Sequence, residues 1–196
     1  MNKSIIIYLL FFLFVFFINP KAYSQLYGFQ VSTIEPKGDF GKTFSTSYSL
    51  DAFSLDIEFD DHLRFGSVLG VTFLNAKKDT FLFGSYGRRV FDRSYELQIG
   101  LFMNYNFLKE DFSPFIGFDL NVMFVKYNYT VISKNYNDVE RKNDFGICIL
   151  PKIGVSYEYK EDFVISVGGA YAYRYKIIEG KKESFIKYFI SIAYSF

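Results

Sequence analysis

The sequence predicts an all-β fold, an eight-stranded antiparallel up-and-down transmembrane β-barrel. Three observations predict it. Apolar and polar residues alternate with a period of two along one segment after another, so each strand has one greasy face. Aromatic residues are abundant, 17 Tyr and 26 Phe without a single Trp, which suits a surface that passes from oil to water. After the first 24 residues no stretch is long and apolar enough for a membrane helix. A chain that spans lipid must then close its strands into a barrel, because lipid offers an open edge no hydrogen-bond partner.

Residues 1–24 are of another kind. Lys3 is a short positive start, Ile5–Ile18 is an unbroken apolar run of fourteen residues, Asn19-Pro20 ends it, and Ala22-Tyr23-Ser24 is a small-x-small cleavage site. That is the pattern of a secretory signal peptide. The alternative, an uncleaved anchor helix, needs about 20 apolar residues. No cysteine stands near the site, so the signal is not of the lipoprotein kind. The barrel domain is then residues 25–196. Loss of Lys3 and Lys21 leaves 20 basic and 21 acidic side chains, with no basic block to bind nucleic acid. Cys148 is the single cysteine and His62 the single histidine, so neither a disulfide framework nor a Cys-His zinc site is expected, and no cofactor is implied.

The first strand is Gln25–Ile34, with Tyr27, Phe29 and Val31 on one face, followed by a loop, Glu35–Thr46. The second runs from Ser47 to Phe59. Phe53, Leu55, Ile57 and Phe59 alternate with Ser54, Asp56 and Glu58, whereas Leu50 and Ala52 are out of phase, which a bulge near Ala52 or a later start explains. Asp60-Asp61-His62 is a tight turn. Strand three, Leu63–Asn75, sets Leu63, Phe65, Leu69, Val71 and Phe73 against Arg64, Gly66, Gly70 and Thr72. In the polar stretch Ala76–Arg93, Phe81, Phe83 and Phe91 suggest a hairpin that prolongs the flanking strands.

Strand four, Ser94–Leu108, sets Tyr95, Leu97, Ile99, Leu101, Met103, Tyr105 and Phe107 against Glu96, Gln98, Gly100, Asn104 and Asn106. Strand five begins at Pro114, a permitted place for proline, and sets Ile116, Phe118, Leu120, Val122 and Phe124 against Gly117, Asp119 and Asn121. Val131–Asn143 reads as a polar loop. Strand six, Asp144–Tyr159, carries Pro151 in its middle, where a lost ladder bond predicts a local bulge. Strand seven is Phe163–Ile177, and Glu179–Ser184 reads as a loop after it. The last strand is Phe185–Phe196, with Ile186, Tyr188, Ile190, Ile192, Tyr194 and Phe196 on its greasy face. Short connections follow strands two, four and six; longer ones follow the others. That asymmetry puts both termini at the turn rim.

Volume decides which face is out. An eight-stranded barrel has an interior just wide enough for side chains to fill. The apolar face is too bulky for it, whereas the glycine-, alanine- and serine-rich face fits. Large apolar residues therefore face lipid, with Phe59, Tyr95, Tyr105, Phe107, Tyr157, Tyr159, Tyr175 and Tyr194 in the interfacial girdles. Asp56, Glu58, Glu96, Asp119 and Glu158 then face inward with Arg64, Lys152, Arg174, Lys176 and Lys187. Five acids against five bases suit a paired lumen, because an unpaired buried charge is costly. A soluble lipocalin-like binding barrel is the same pattern turned inside out.

Catalytic signals are weak. Gly41-Lys42-Thr43 ends like a phosphate-binding loop, but Pro36 stands where that motif needs glycine. Asp39-Phe40-Gly41 and Asp144-Phe145-Gly146 spell the kinase metal triplet without its partners. The closing strand with its terminal Phe196 resembles that of Gram-negative outer-membrane barrels, in which the final aromatic belongs to an assembly signal; Tyr194 and Phe196 carry it here. With the signal peptide, the eight strands and the loop asymmetry, the whole chain is similar to the OmpX and OmpA-barrel group and to PorT-like barrels. The resemblance implies residence in the outer membrane among its lipids, folding by the barrel-assembly machinery, and no catalytic or metal residues. It also implies an envelope-structural role or a protein partner at the loops, protein secretion included. The alternative that some small barrels suggest is a lipid A-modifying enzyme. Its base would have to be His62, which lies in a turn at the periplasmic rim.

Overall fold

Alternating strands close on themselves. A computed structural model describes residues 26–58, 62–77, 81–83, 87–91, 94–108, 110–133, 136–159, 163–178 and 180–195. Strands β1 (Leu26–Lys37), β2 (Ser47–Glu58) and β3 (Leu63–Leu74) come first, with helix α1 (Gly38–Thr43) between β1 and β2. Short strands β4 (Phe81–Phe83) and β5 (Gly87–Phe91) follow, then β6 (Ser94–Asn106), β7 (Phe112–Ser133), β8 (Tyr136–Tyr159), β9 (Phe163–Lys176) and β10 (Lys181–Ser195). The hydrogen-bonded order is β7-β6-β3-β2-β1-β10-β9-β8, and β7 also pairs with β8. Eight antiparallel strands therefore form a closed barrel, with β4 and β5 added along the far end of β7. Closure gives every wall strand two neighbours and leaves no edge within the barrel. The expected signal peptide, residues 1–24, and Gln25 lie outside the described residues.

The alternation sets the faces as expected on most strands. Ile116, Phe118, Leu120 and Phe124 of β7, Tyr171, Tyr173 and Tyr175 of β9 and Tyr188, Ile190, Ile192 and Tyr194 of β10 are exposed on the outer wall. Between them, Asp119, Asn121, Ala172, Arg174, Lys187 and Ser191 are buried inside. Tyr105, Phe107, Tyr157, Tyr159 and Tyr194 gather at the turn rim and Tyr175 at the opposite one, all exposed. Tyr95, also at the opposite rim, is half-buried. Phe59 and Phe196 lie outside the described residues.

Five expectations are corrected, the first being Glu179–Ser184, read as a loop, in which β10 already begins at Lys181 and pairs with β9. The bulge of β2 is at Asp56, between the pairs Leu55–Gly66 and Ile57–Phe65, not near Ala52. Phase before it is therefore reversed: Tyr48 and Leu50 are exposed, while Leu55 is buried and Phe53 packs inside. Glycines opposite make the room, because the Phe53 ring occupies the space of a Gly28 Cβ and the Phe102 ring that of a Gly66 Cβ.

Pro151 causes no bulge. The β8–β9 ladder pairs Ile149 with Tyr173 and Lys152 with Ala170 in one unbroken register, leaving only Leu150 and Pro151 unpaired on that side. A proline lacks the N–H that this ladder would use.

Val131–Asn143 is not a loop. β7 and β8 pair residue by residue as far as Ser133 and Tyr136. The apolar alternation fades in this stretch of the sequence while the backbone pairing persists. Glu35–Thr46 is likewise structured: β1 continues to Lys37, and α1 then turns into the barrel mouth. The hairpin expected within Ala76–Arg93 is β4–β5.

Candidate functional site: a charged, capped lumen

The interior is layered along the barrel axis. Inward positions on neighbouring strands lie at matching heights, so side chains distant in sequence meet across the lumen. At the loop end, α1 closes the mouth. Its Phe40 and the following Phe44 are each only 3% exposed. Phe44 stacks on Tyr127 with centroids 5.9 Å apart, and the Phe40 ring lies 5.1 Å from it. The Arg174 guanidinium lies 4.2 Å from the centre of the Phe40 ring, a cation–π contact shielded from water. Ile34, Leu74, Met123, Val125, Cys148, Leu150, Ala170, Ala172 and Phe185 complete this apolar cluster. On the helix, exposed Lys42 donates to Asp39 at 2.7 Å. That contact holds the carboxyl of Asp39 below its ordinary range and the amine of Lys42 above its own.

Beneath the cap is an ionic quartet. Arg174 donates to both Glu96 and Glu183, and Lys176 Nζ lies 2.7 Å from Glu183 Oε1. Two cations meet two carboxylates, and Lys176 also sits 4.5 Å from the centre of the Tyr127 ring. One layer further down, Asp51 collects four donors. Lys187 Nζ and Ser49 Oγ are at 2.6 Å, Gln98 Nε2 at 2.7 Å and Gln30 Nε2 at 2.9 Å. Asn121 Nδ2 donates to Gln98 Oε1 at 3.2 Å and extends the net across β7. Gly70 makes the layer feasible: a Cβ there would collide with Asp51 Oδ1 and Gln98 Nε2. A buried carboxylate is tolerated only when its charge is paired and its lone pairs are occupied, as here.

Two further pairs span the half nearer the turns. Lys152 Nζ lies 2.6 Å from Asp119 Oδ1 and 4.7 Å from the centre of the Phe102 ring. Arg64 Nη2 donates to Glu158 Oε2 at 2.7 Å. Among the described residues, the paired lumen charges are Asp51, Glu96, Asp119, Glu158 and Glu183 against Arg64, Lys152, Arg174, Lys176 and Lys187. Asp51 and Glu183 are members that the expected set lacks. The side chains of Asp56 and Glu58 lie outside the described residues. Sequence reasoning misses Asp51 because of the phase error before the bulge, and Glu183 because Glu179–Ser184 has the composition of a loop. The hairpin register holds the signal for Glu183, since that residue pairs directly with Arg174 across β9 and β10.

Other sequence candidates fall elsewhere. His62 stacks on Tyr105 with centroids 5.5 Å apart, and its Nδ1 lies 2.8 Å from the Asn106 carbonyl at the turn rim. Its neighbours Asp60 and Asp61 lie outside the described residues. Cys148 is buried in the apolar cluster of the lumen. Tyr194 is exposed on β10, opposite Tyr27 and Phe163. Among the described residues, no group of three or more His, Cys, Asp or Glu side chains is placed to hold a metal ion.

No protein-family model matches the chain. No curated protein matches it in sequence. Solved structures do match. Neisserial surface protein A superposes with a TM-score of 0.58 at 15% identity, over 90% of this chain and 99% of that one. The outer membrane protein OprG of Pseudomonas aeruginosa gives 0.52 at 15%, over 90% and 97%. A major outer membrane protein of Thermus thermophilus gives 0.52 at 14%, over 89% and 100%. At such identities the likeness is one of fold, and nearly the whole of each protein takes part. The closed eight-stranded wall, apolar outside and charged within, is the fold of small outer-membrane β-barrels.

Proposed function

We propose that the mature chain is a resident β-barrel of a Gram-negative outer membrane, exported by residues 1–24. In this reading the turn rim faces the periplasm, and the barrel-assembly machinery reads Tyr194 and Phe196 on the closing strand. The role is non-enzymatic. The barrel serves the envelope as a structural element, or it presents the elements at its loop end to a protein partner, protein secretion included. One observation carries this reading. Among the described residues, large apolar side chains of every wall strand are exposed on the outside, while the paired charges lie inside. Such a wall is stable in lipid and would be an aggregation surface in water.

Envelope fractionation followed by electrophoresis of boiled and unboiled samples tests the location. A band in the outer-membrane fraction that runs faster unboiled is expected. A soluble protein without that shift would contradict the reading and favour a lipocalin-like barrel. Deletion of the gene tests the role: secretion, adhesion and envelope integrity all unchanged would count against it. The enzyme alternative has a separate test. His62→Ala is expected to leave the lipid A profile unchanged by mass spectrometry, because the ring is stacked and hydrogen-bonded at the turn rim.

A further inference from the structure

The two halves of the lumen are built differently. The half under α1 is packed by aliphatic and aromatic side chains over a quartet whose charges answer one another, and Met123 and Ala172 within it have no exposed surface. In the half toward the turns there is a cavity of about 60 Å³. It runs from Asp51, at mid-height, to Leu26 and Asn106, which stand at the turn rim at the first residue of β1 and the last of β6. Its lining mixes the apolar side chains of Leu55, Phe102, Phe115 and Val164 with the charged ones of Arg64, Asp119 and Lys152. Asn104 lines this cavity, and its Oδ1 is a buried acceptor that receives no hydrogen bond from the protein.

Charged and amide side chains such as Arg64, Asp119, Lys152 and Gln30 face this space, and its volume leaves room for several water molecules to solvate them. We propose that the turn-end half of the lumen is a blind, water-filled vestibule. It binds water, admits solutes no larger than water, opens only at the turn rim, and ends at the Asp51–Lys187 layer. The loop-end half is a dry plug. Water therefore enters from one side and does not pass. Asp51 is the floor, because its four donors leave it no need of solvent.

Thiol accessibility tests this with the whole chain in proteoliposomes of known orientation. The native Cys148 lies in the plug and Ser166 lines the cavity. Silver ion, close to water in size, is added to one side, and the thiols left unreacted are then labelled after unfolding. In a Cys148→Ala background, Ser166→Cys is expected to lose most of its labelling when silver is on the turn side and none when it is on the loop side. Native Cys148 is expected to stay fully labelled from both sides. No protection of Ser166→Cys from either side would overturn the vestibule, and equal protection from both would mean a through channel. Ser191→Cys, at a second lining position, repeats the reading should the first variant fail to fold. The inference rests on the membrane-spanning reading. Loss of the heat-dependent gel shift by the unmodified protein would sink that reading, whereas a retained shift with silent cysteines sinks the vestibule alone.

Discussion

Arg174 is the residue on which the loop-end half of the lumen turns. It answers two carboxylates and also supports the cap through the Phe40 ring. Replacing it with Met strands Glu96 and Glu183 beside Lys176 alone. Breaking a buried pair in this way typically costs about 3–5 kcal/mol. Urea unfolding of the folded barrel in lipid vesicles is expected to show a loss of that order for Arg174→Met. Glu96→Gln added to Arg174→Met should recover part of it. A loss below about 1 kcal/mol, the value of an exposed pair, would mean that the quartet is solvated. Gly70 gives a second prediction at this scale. A side chain there meets Asp51 and Gln98, so Gly70→Val is expected to fold poorly and to lose its unboiled gel band, while Gly169→Val, where the nearest atom is 3.7 Å away, keeps it.

At the scale of the element, most strands are legible because a period of two on a closed wall has two meanings only, inside and outside. β2 is not, since apolar residues occupy both parities from Leu50 to Ile57 and the sequence does not mark where the extra residue goes. The choice is made by Gly28 and Gly66 on the neighbouring strands, which open space for Phe53 and Phe102 inside. Pro151 is legible as a fault, but its form is not. The ladder simply lacks pairs at Leu150 and Pro151, so Pro151→Val restores a donor and is expected to stabilise the barrel by about 0.5–1.5 kcal/mol in the same urea titration. The upper part of β7–β8 escapes the sequence because its apolar alternation fades there while the backbone pairing goes on to Ser133 and Tyr136. Helix α1 escapes it because six residues carry no readable helical period. Its weight is testable all the same. Phe40→Ala removes a buried ring, a change that costs about 3–5 kcal/mol in a well-packed core. Planar-bilayer current is expected to stay at baseline in this variant, because the Arg174 quartet and the Asp51 layer still close the lumen below.

At the scale of the molecule, the sequence announces an environment more than a reaction. Its bulky face is exposed on the wall and its charges are paired within, and both follow from placing a narrow barrel in lipid. The candidate site is legible as a set of inward charges, but not as pairs. Pairing depends on register and tilt across strands far apart in sequence, as between Asp51 and Lys187 or Glu96 and Arg174. The central claim is that the apolar face of each strand meets lipid, and the absence of tryptophan makes a direct test simple. Ile190→Trp and Phe189→Trp place a single fluorophore on adjacent residues of β10, the first exposed on the wall and the second buried in the lumen. In vesicles of bromine-labelled phospholipid, strong quenching of Ile190→Trp and little of Phe189→Trp is the predicted result. The reverse, or equal quenching of the two, would contradict the account.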